Sequence, residues 1–401
     1  MKSKILTLGS LLCVCFSIFS QESAPAFGKG LFNLVGKDSS WTMKVGARMQ
    51  LLSIANWDKD QNGGLVNPDQ NFLVRRARLK FDGYAYSPKL KYKLELGLSN
   101  RDISGGSEFT RNTPRYILDA VVMWNFAGNF ELWVGQTKLP GNIERVISSG
   151  NLQQVDRSLL NSRFNIDRDI GFQLRHHFNL TKDFLVREKL AVSQGEGRNI
   201  TEGNLGGHQY TARLELLPFG KFKSKGDYSA SDLKREETPK LMLAASYDFN
   251  QDAVKTRSNL GSYMVNDTGF YSTDIKTVFI DAMFKYQGFS FMAEYANRSA
   301  DDPLAKNSDG SLTGDVVQIG NGLNLQTGYL FKTNWEVSGR YTDIQLDETI
   351  TGRNPVKQYT LGLSKYIVGH KLKVQTDLSY LDVSENSTDN LMYRLQLDLH
   401  F

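Results

Sequence analysis

The sequence predicts an all-β fold, a transmembrane antiparallel β-barrel of about 16 strands with a long third external loop. Three observations carry this reading. Apolar and polar residues alternate with a period of two along many segments, as strands with one greasy and one wet face require. After residue 20 no apolar run approaches the roughly 18 residues of a membrane helix. Connectors alternate between long and short, the arrangement of barrels whose chain begins and ends on one side.

Strands are expected near 41–57, 70–86, 89–99, 114–126, 129–138, 167–179, 183–195, 207–217, 239–250, 274–286, 288–298, 316–331, 334–346, 356–367, 370–382 and 389–401. The alternation is clearest in Leu90, Tyr92, Leu94, Leu96 and Leu98 against Lys91, Lys93 and Glu95, and in Tyr116, Leu118, Ala120, Val122, Trp124 and Phe126 against Asp119 and Asn125. It weakens from Phe184 to Ser193, where Glu188 falls on the apolar face. In the last strand Leu391, Tyr393, Leu395, Leu397, Leu399 and Phe401 share one face, and Arg394, Gln396, Asp398 and His400 share the other. Such a segment can cross a bilayer with only half of its residues apolar. Trp41, Tyr247, Phe249, Tyr329, Phe331 and Trp335 collect near strand ends, where aromatic girdles sit. A secreted β-sandwich shares the period but explains neither the girdles nor the connectors.

The long connectors include 58–69, 100–113, 139–166, 251–273, 299–315 and 347–355, and the short ones include Ala127–Gly128, Leu180 to Lys182, Gln287, Lys332–Thr333 and Gly369. One segment breaks the alternation. Residues 218–238 fall at a short position yet are long, so either this is a periplasmic insertion or the strand count slips there.

Lys2 and Lys4 precede an apolar stretch from Ile5 to Phe19, and small Ser20 follows, so residues 1–20 read as a signal peptide. Residues 21–40 read as a short periplasmic lead-in and 41–401 as a single barrel domain. Cys13 and Cys15 both lie in the signal stretch, which leaves the mature chain without a disulfide. Whole-chain Lys+Arg number 48 against 43 Asp+Glu; without Lys2 and Lys4 the net charge is +3, too mild to argue for nucleic acid.

Placing the apolar set outward in the first three strands leaves Lys44, Arg48, Arg76, Arg78, Lys80, Lys91 and Lys93 inside, against Asp82 and Glu95. A basic wall in a narrow lumen concentrates anions and repels cations. Asp119, Asp281, Glu294, Asp377 and Asp398 support the opposing reading, in which lumen charges pair across strands and keep the pore wet. The connector from Leu139 to Asn165 holds Glu144, Arg145, Ser148, Ser149, Asp156, Arg157 and Arg163. Folded inward, it would offer charged and neutral donors to an oxyanion; left outside, it would be a solvated loop.

Several segments together resemble the phosphate-selective porin O and P family. They are DSSWTMKVGARMQ at 38–50, FLVRRARLKFDG at 72–83, VGQTKLPGNIERVISSGNLQQVDRS at 134–158, RDIGFQL at 168–174 and GDYSASDLKREETPKL at 226–241, the last making the awkward connector a family feature. The resemblance implies a homotrimeric outer-membrane porin whose third external loop lines a constriction. Arg48 matches the first-strand arginine, Arg75 and Arg76 the paired arginines, and Asp119 an acidic constriction residue. Arg145 matches a basic loop position, Ser148 and Ser149 a serine pair, and Arg157 the arginine after an acid. Gly150 stands where phosphate-selective members can carry lysine, and Arg78 replaces an aromatic of some members. Alternation also points Arg75 outward, against a pore role unless a β-bulge intervenes.

The functional expectation is passive diffusion of small anions, phosphate or polyphosphate among them, with outer-membrane lipid and the barrel-assembly machinery as partners and with no cofactor or metal. The alternatives are a weakly selective porin for small solutes or oligosaccharides, and a non-conducting receptor or adhesin barrel. The five histidines (His176, His177, His208, His370 and His400) sit in no triad or metal motif, so no enzyme is expected.

Overall fold

The computed structural model describes residues 25–60, 62–201, 204–384 and 389–401, so the signal-peptide expectation lies outside the described residues. Sixteen antiparallel strands form one sheet that closes on itself. They are β1 (Thr42–Lys59), β2 (Leu65–Ala85), β3 (Ser87–Gly97), β4 (Ile117–Ala127), β5 (Phe130–Lys138), β6 (Arg168–Asn179), β7 (Leu185–Ser193) and β8 (Gln209–Leu217). The second half comprises β9 (Lys240–Ala253), β10 (Thr273–Tyr286), β11 (Phe289–Ala300), β12 (Gly320–Leu330), β13 (Trp335–Leu346), β14 (Val356–Tyr366), β15 (Leu372–Val383) and β16 (Asn390–His400). Each strand pairs with its sequence neighbour. The seam runs from Arg48 opposite His400 to Asp58 opposite Asn390. Closure leaves no sheet edge, so every strand can satisfy its backbone groups inside lipid. Among the described residues no helix is long and apolar enough to cross a membrane.

The outer surface is apolar where the sequence requires it. Phe72, Phe172, Leu190, Ile280 and Leu361 are all exposed, with Leu361 at 69%. Trp41, Tyr329, Phe331 and Trp335 are likewise exposed, at the strand ends, whereas Tyr247, also exposed, lies in the middle of β9. Glu188 keeps its outward place because His176 Nδ1 lies 3.0 Å from its Oε2, while the imidazole stacks on Phe130 at 4.0 Å. The lead-in adds a short strand, Phe32–Val35, which pairs with Thr42 to Val45 of β1.

Connectors alternate as the count demands, so the long segment 218–238 does join β8 to β9 at the short-turn end, and sixteen strands stand. It folds upward into the barrel. Lys285 Nζ donates to the carbonyls of Gly226, Ser229 and Ser231 at 2.7–2.8 Å. Ser231 Oγ donates to Glu336 Oε2 at 2.7 Å, and the Arg187 guanidinium pairs with Asp227. From the other end the third long loop descends to meet it, with Ala230 N donating to Asn151 O at 3.0 Å.

Two buried clusters hold these insertions. Leu139, Leu160, Phe164 and Ile166 of the loop pack on Phe279, Ala296 and Ile344 of the wall. Ile143, Ile147 and Leu152 pack with Phe222 of the connector and with Met242, Met283 and Met292. A barrel interior is usually polar; this half is apolar in part because protein, not water, fills it. The signal in the sequence is two-faced hydrophobicity: β10 carries Ile275, Phe279 and Met283 inward and Val278 and Ile280 outward.

Placing a charge on the outer face tests the orientation. Leu361→Arg, at the middle of β14, is expected to destabilise the barrel by about 2–4 kcal/mol, the cost of a midplane arginine facing lipid. Urea titration of protein refolded into vesicles measures it.

Candidate functional site

The third long loop (139–167) lies across the wall formed by β8 to β16. Gln153 Nε2 donates to Ser290 Oγ and Glu336 Oε1, both at 2.8 Å, and its Oε1 accepts from Gln326 at 2.9 Å. Glu144 N and Asn142 Nδ2 donate to Glu294 Oε1 at 2.7 and 3.1 Å. Val155 N donates to Asp377, Arg213 to Gly141 O, Arg298 to Phe164 O and Arg340 to Asp156 O. These partners come from five strands, β8, β11, β12, β13 and β15, so the loop is bound along its length rather than at one point. Two short helices, α1 (Ile143–Val146) and α2 (Leu159–Phe164), turn apolar side chains toward the wall, and Ser158 Oγ caps α2 by accepting from Asn161 N.

The passage left open is bounded mainly by β2 to β7, the loop and the connector, with Arg340, Gln358 and Arg394 of β13, β14 and β16 closing its far side. Its cavity measures about 1140 Å³, roughly forty times the ~30 Å³ volume share of one water. Eighteen Lys and Arg side chains line it against six inward-facing Asp and Glu, Glu95, Asp102, Asp119, Glu131, Asp156 and Asp167. The basic strands of the first half therefore form the wall that remains wet.

A β-bulge decides how Arg75 is used. Gln50 of β1 pairs with Arg76, and the next residue, Leu51, pairs with Val74, so Arg75 is the extra residue. Two consecutive side chains then enter the lumen. Arg75 donates to Asp156 Oδ2 from Nε and Nη2 at 3.2 and 2.7 Å, and Arg76 Nη2 lies 3.3 Å from Asp156 Oδ1. Simple alternation would put Arg75 outward, and the bulge corrects that orientation. A second bulge, between the Glu95–Asp119 and Leu96–Ile117 pairs, turns Leu118 from the outward set to the cavity wall.

The remaining expected positions divide by partner. Arg48 does not line the cavity: Nε and Nη2 donate to Asp398 at 2.9 and 2.7 Å, and Nη1 donates to Ser149 Oγ at 2.6 Å, tying the loop to the barrel seam. Ser148 Oγ accepts from Gly150 N. A side chain at Gly150 would collide with the His400 imidazole, a physical reason for glycine at this position. Arg78 pairs with Asp102 at 2.7–2.8 Å and with Glu95 at 3.2 Å. Asp119 holds Arg168, Lys93 and Thr137 at 2.7–3.2 Å. Lys80 pairs with Asp82. Lys44 opposes Asp82 and Lys91 opposes Tyr84, both toward the short-turn end.

Other cations are held by carbonyls instead of carboxylates. Arg157 donates to the carbonyls of Glu144 and Ile147, both at 2.8 Å. Lys138 Nζ donates to the carbonyls of Arg145 and Ile147 at 2.7 and 3.1 Å. Arg198 donates to those of Arg115 and Asp102. Arg145 does hold a carboxylate, Asp167, at 2.7 Å from Nε, yet burial and the nearby guanidiniums of Arg157 and Arg168 push it well below the usual arginine range. Burial pushes Arg157 down to about 10, which leaves it charged at neutral pH. Carbonyl oxygens orient a guanidinium without neutralising it, so the loop base is a crowded, under-compensated positive site. Lys138, Arg168 and Arg198 were not singled out from sequence, although Lys138 and Arg168 lie inside or next to the loop-flanking blocks.

The family model for phosphate-selective porins O and P matches residues 44–399. The chain belongs to this porin family. It is therefore an outer-membrane channel protein. An uncharacterised protein from Aquifex aeolicus (strain VF5) is 23% identical over 388 residues, covering 90% of this chain and 87% of that one. Among solved structures, Salmonella typhi OmpF in complex with daunomycin matches with a TM-score of 0.56 at 10% identity, covering 92% of this chain and all of that one. The anion-selective porin from Comamonas acidovorans matches at 0.52 and 12%, covering 90% and 100%. Vibrio cholerae OmpT in its trimer form matches at 0.52 and 13%, covering 90% and 99%. At these identities the likeness is one of fold.

Asp156 gives this porin a direct test of loop anchoring. Burial opposes its ionisation, but Arg75, Arg76 and Arg394 outweigh burial and hold its carboxyl well below the usual carboxylate range. A folded pKa depressed in this way contributes stability that is present above the unfolded value of about 3.9 and lost as pH falls through the folded value. Loop anchoring by this ion triad should be constant from pH 5 to 8. Asp156→Asn is expected to cost about 3–5 kcal/mol, the penalty for stranding buried charge, read as a lowered denaturation midpoint and noisier open-channel current.

Proposed function

We propose that this porin conducts small anions in preference to cations, with phosphate or polyphosphate held transiently where the loop meets β5 and β6. The carrying observation is the lining, eighteen cationic side chains against six inward-facing anionic ones around the passage. At an effective dielectric of 20, one guanidinium about 4 Å from an anion supplies about 4 kcal/mol before dehydration is charged against it. Such a term favours entry while still permitting release. Arg145 and Arg157 are the proposed oxyanion donors, with Ser148 beside them on the cavity wall and Arg78 and Asp119 setting the facing potential. Ser149 and Arg48 act as a positioning pair for the loop. The trimer form described for Vibrio cholerae OmpT supports a homotrimer.

A weakly selective channel is the second reading, and one observation favours it. Arg75, Arg76, Arg78 and Lys93 each hold a carboxylate within 3.3 Å, which spends part of their field on the protein itself.

Reversal potentials in a potassium chloride gradient separate the two. Strong chloride preference is expected, and a cation-preferring current would overturn the proposal. In the Arg145→Ala, Arg157→Ala double variant, block of chloride current by phosphate should weaken by at least about tenfold, equivalent to about 1.4 kcal/mol. Unchanged block would place the oxyanion elsewhere.

A further inference from the structure

Met123 and Trp133 are out of character for a water-filled lumen, where inward positions are normally polar. They sit directly opposite each other across β4 and β5, and both line the cavity. Their flanking residues Val122, Trp124 and Val134 are exposed on the outer face, so lipid contact accounts for those and not for this pair. Trp133 lies five residues from Lys138, about 16 Å along the strand toward the short-turn end, and is thus separate from the loop base.

Arg175 of β6 completes the feature. Its guanidinium lies 3.5 Å over the Trp133 ring, and the indole N–H donates to Glu131 Oε2 at 3.0 Å. Arg175 Nε and Nη2 donate to Gln173 Oε1 at 3.3 and 2.7 Å. Among the described residues no carboxylate forms an ion pair with it. A guanidinium has five N–H donors, so most of its capacity is uncommitted. The in-folded connector brings Phe222 and Tyr228 to the same cavity, which makes this the most aromatic stretch of the passage.

We propose that Trp133, Met123 and Arg175 form a second station, one that takes organic anions with a flat apolar body, an aromatic carboxylate being the simplest. The carboxylate meets the uncommitted edge of Arg175. The ring covers Met123 and the part of the indole that Arg175 leaves open, removing from water an apolar surface that inorganic anions cannot cover. The assignment rests on the lumen being an anion passage, but it adds a ligand class that the loop-base arginines do not select.

Planar-bilayer recordings of chloride current through the full-length porin, with sodium acetate or sodium benzoate added, test it. Benzoate is expected to block about tenfold more tightly than acetate, the size of one good aromatic contact. That ratio should fall to within about twofold in Trp133→Ala and keep an intermediate value in Trp133→Phe. A ratio near one in the wild type, or a ratio unchanged in Trp133→Ala, overturns the station while leaving the anion channel standing. Cation-preferring current with no block by either anion would overturn both.

Discussion

Closure of the sheet between β1 and β16 is the constraint on which the rest depends. A spanning strand cannot leave backbone groups unpaired in lipid, so the sixteen strands must meet, and their number fixes a lumen wide enough to accept folded chain. What enters that lumen is not arbitrary. Gln50 bridges the seam to Gln396, which Gln375 of β15 holds in turn, and Arg48 adds Asp398 and Ser149. The same seam that seals the barrel therefore also fixes where the third loop lies.

The loop and the connector 218–238 then divide the interior into two unlike halves. Against β8 to β16 the chain packs as it would in a soluble core, with buried Phe279, Met283 and Met292 and with buried charges that are paired or hydrogen-bonded. Against β2 to β7 it leaves water. Positive charge is concentrated on the wet side, so the average net charge of the chain understates the field along the passage. The partition also separates two kinds of cation. Those bound to carboxylates, such as Arg75 and Arg78, mainly hold the architecture; those bound to carbonyls, such as Arg157, keep most of their charge available to a passing ion.

Much of this was legible in the sequence. The period of two located all sixteen strands, because lipid on one face and polar contents on the other impose it on every strand. Connector length gave the side on which each loop lies, and the awkward segment 218–238, open between an insertion and a slipped count, joins β8 to β9 and folds into the barrel. Arg75 and Leu118 were not legible from alternation alone, since a single bulge reverses the face of a residue without changing composition. Glu188 looked misplaced until His176, twelve residues away, appeared beside it across the hairpin. The apolar filling of the second half had a local signal in β10, but two-faced hydrophobicity does not say what covers the inner face.

The sequence by itself determined the barrel, its strand count, its outer surface and the basic bias of the first strands, because these follow from local periodicity and residue type. Only the tertiary structure decided which lumen charges face water, which are neutralised, and that Trp133 stands beneath Arg175. These depend on contacts between residues dozens to hundreds of positions apart, as between Arg48 and Asp398 or Arg75 and Asp156. Their geometry is set by strand register and loop packing, and neither is written in the spacing along the chain.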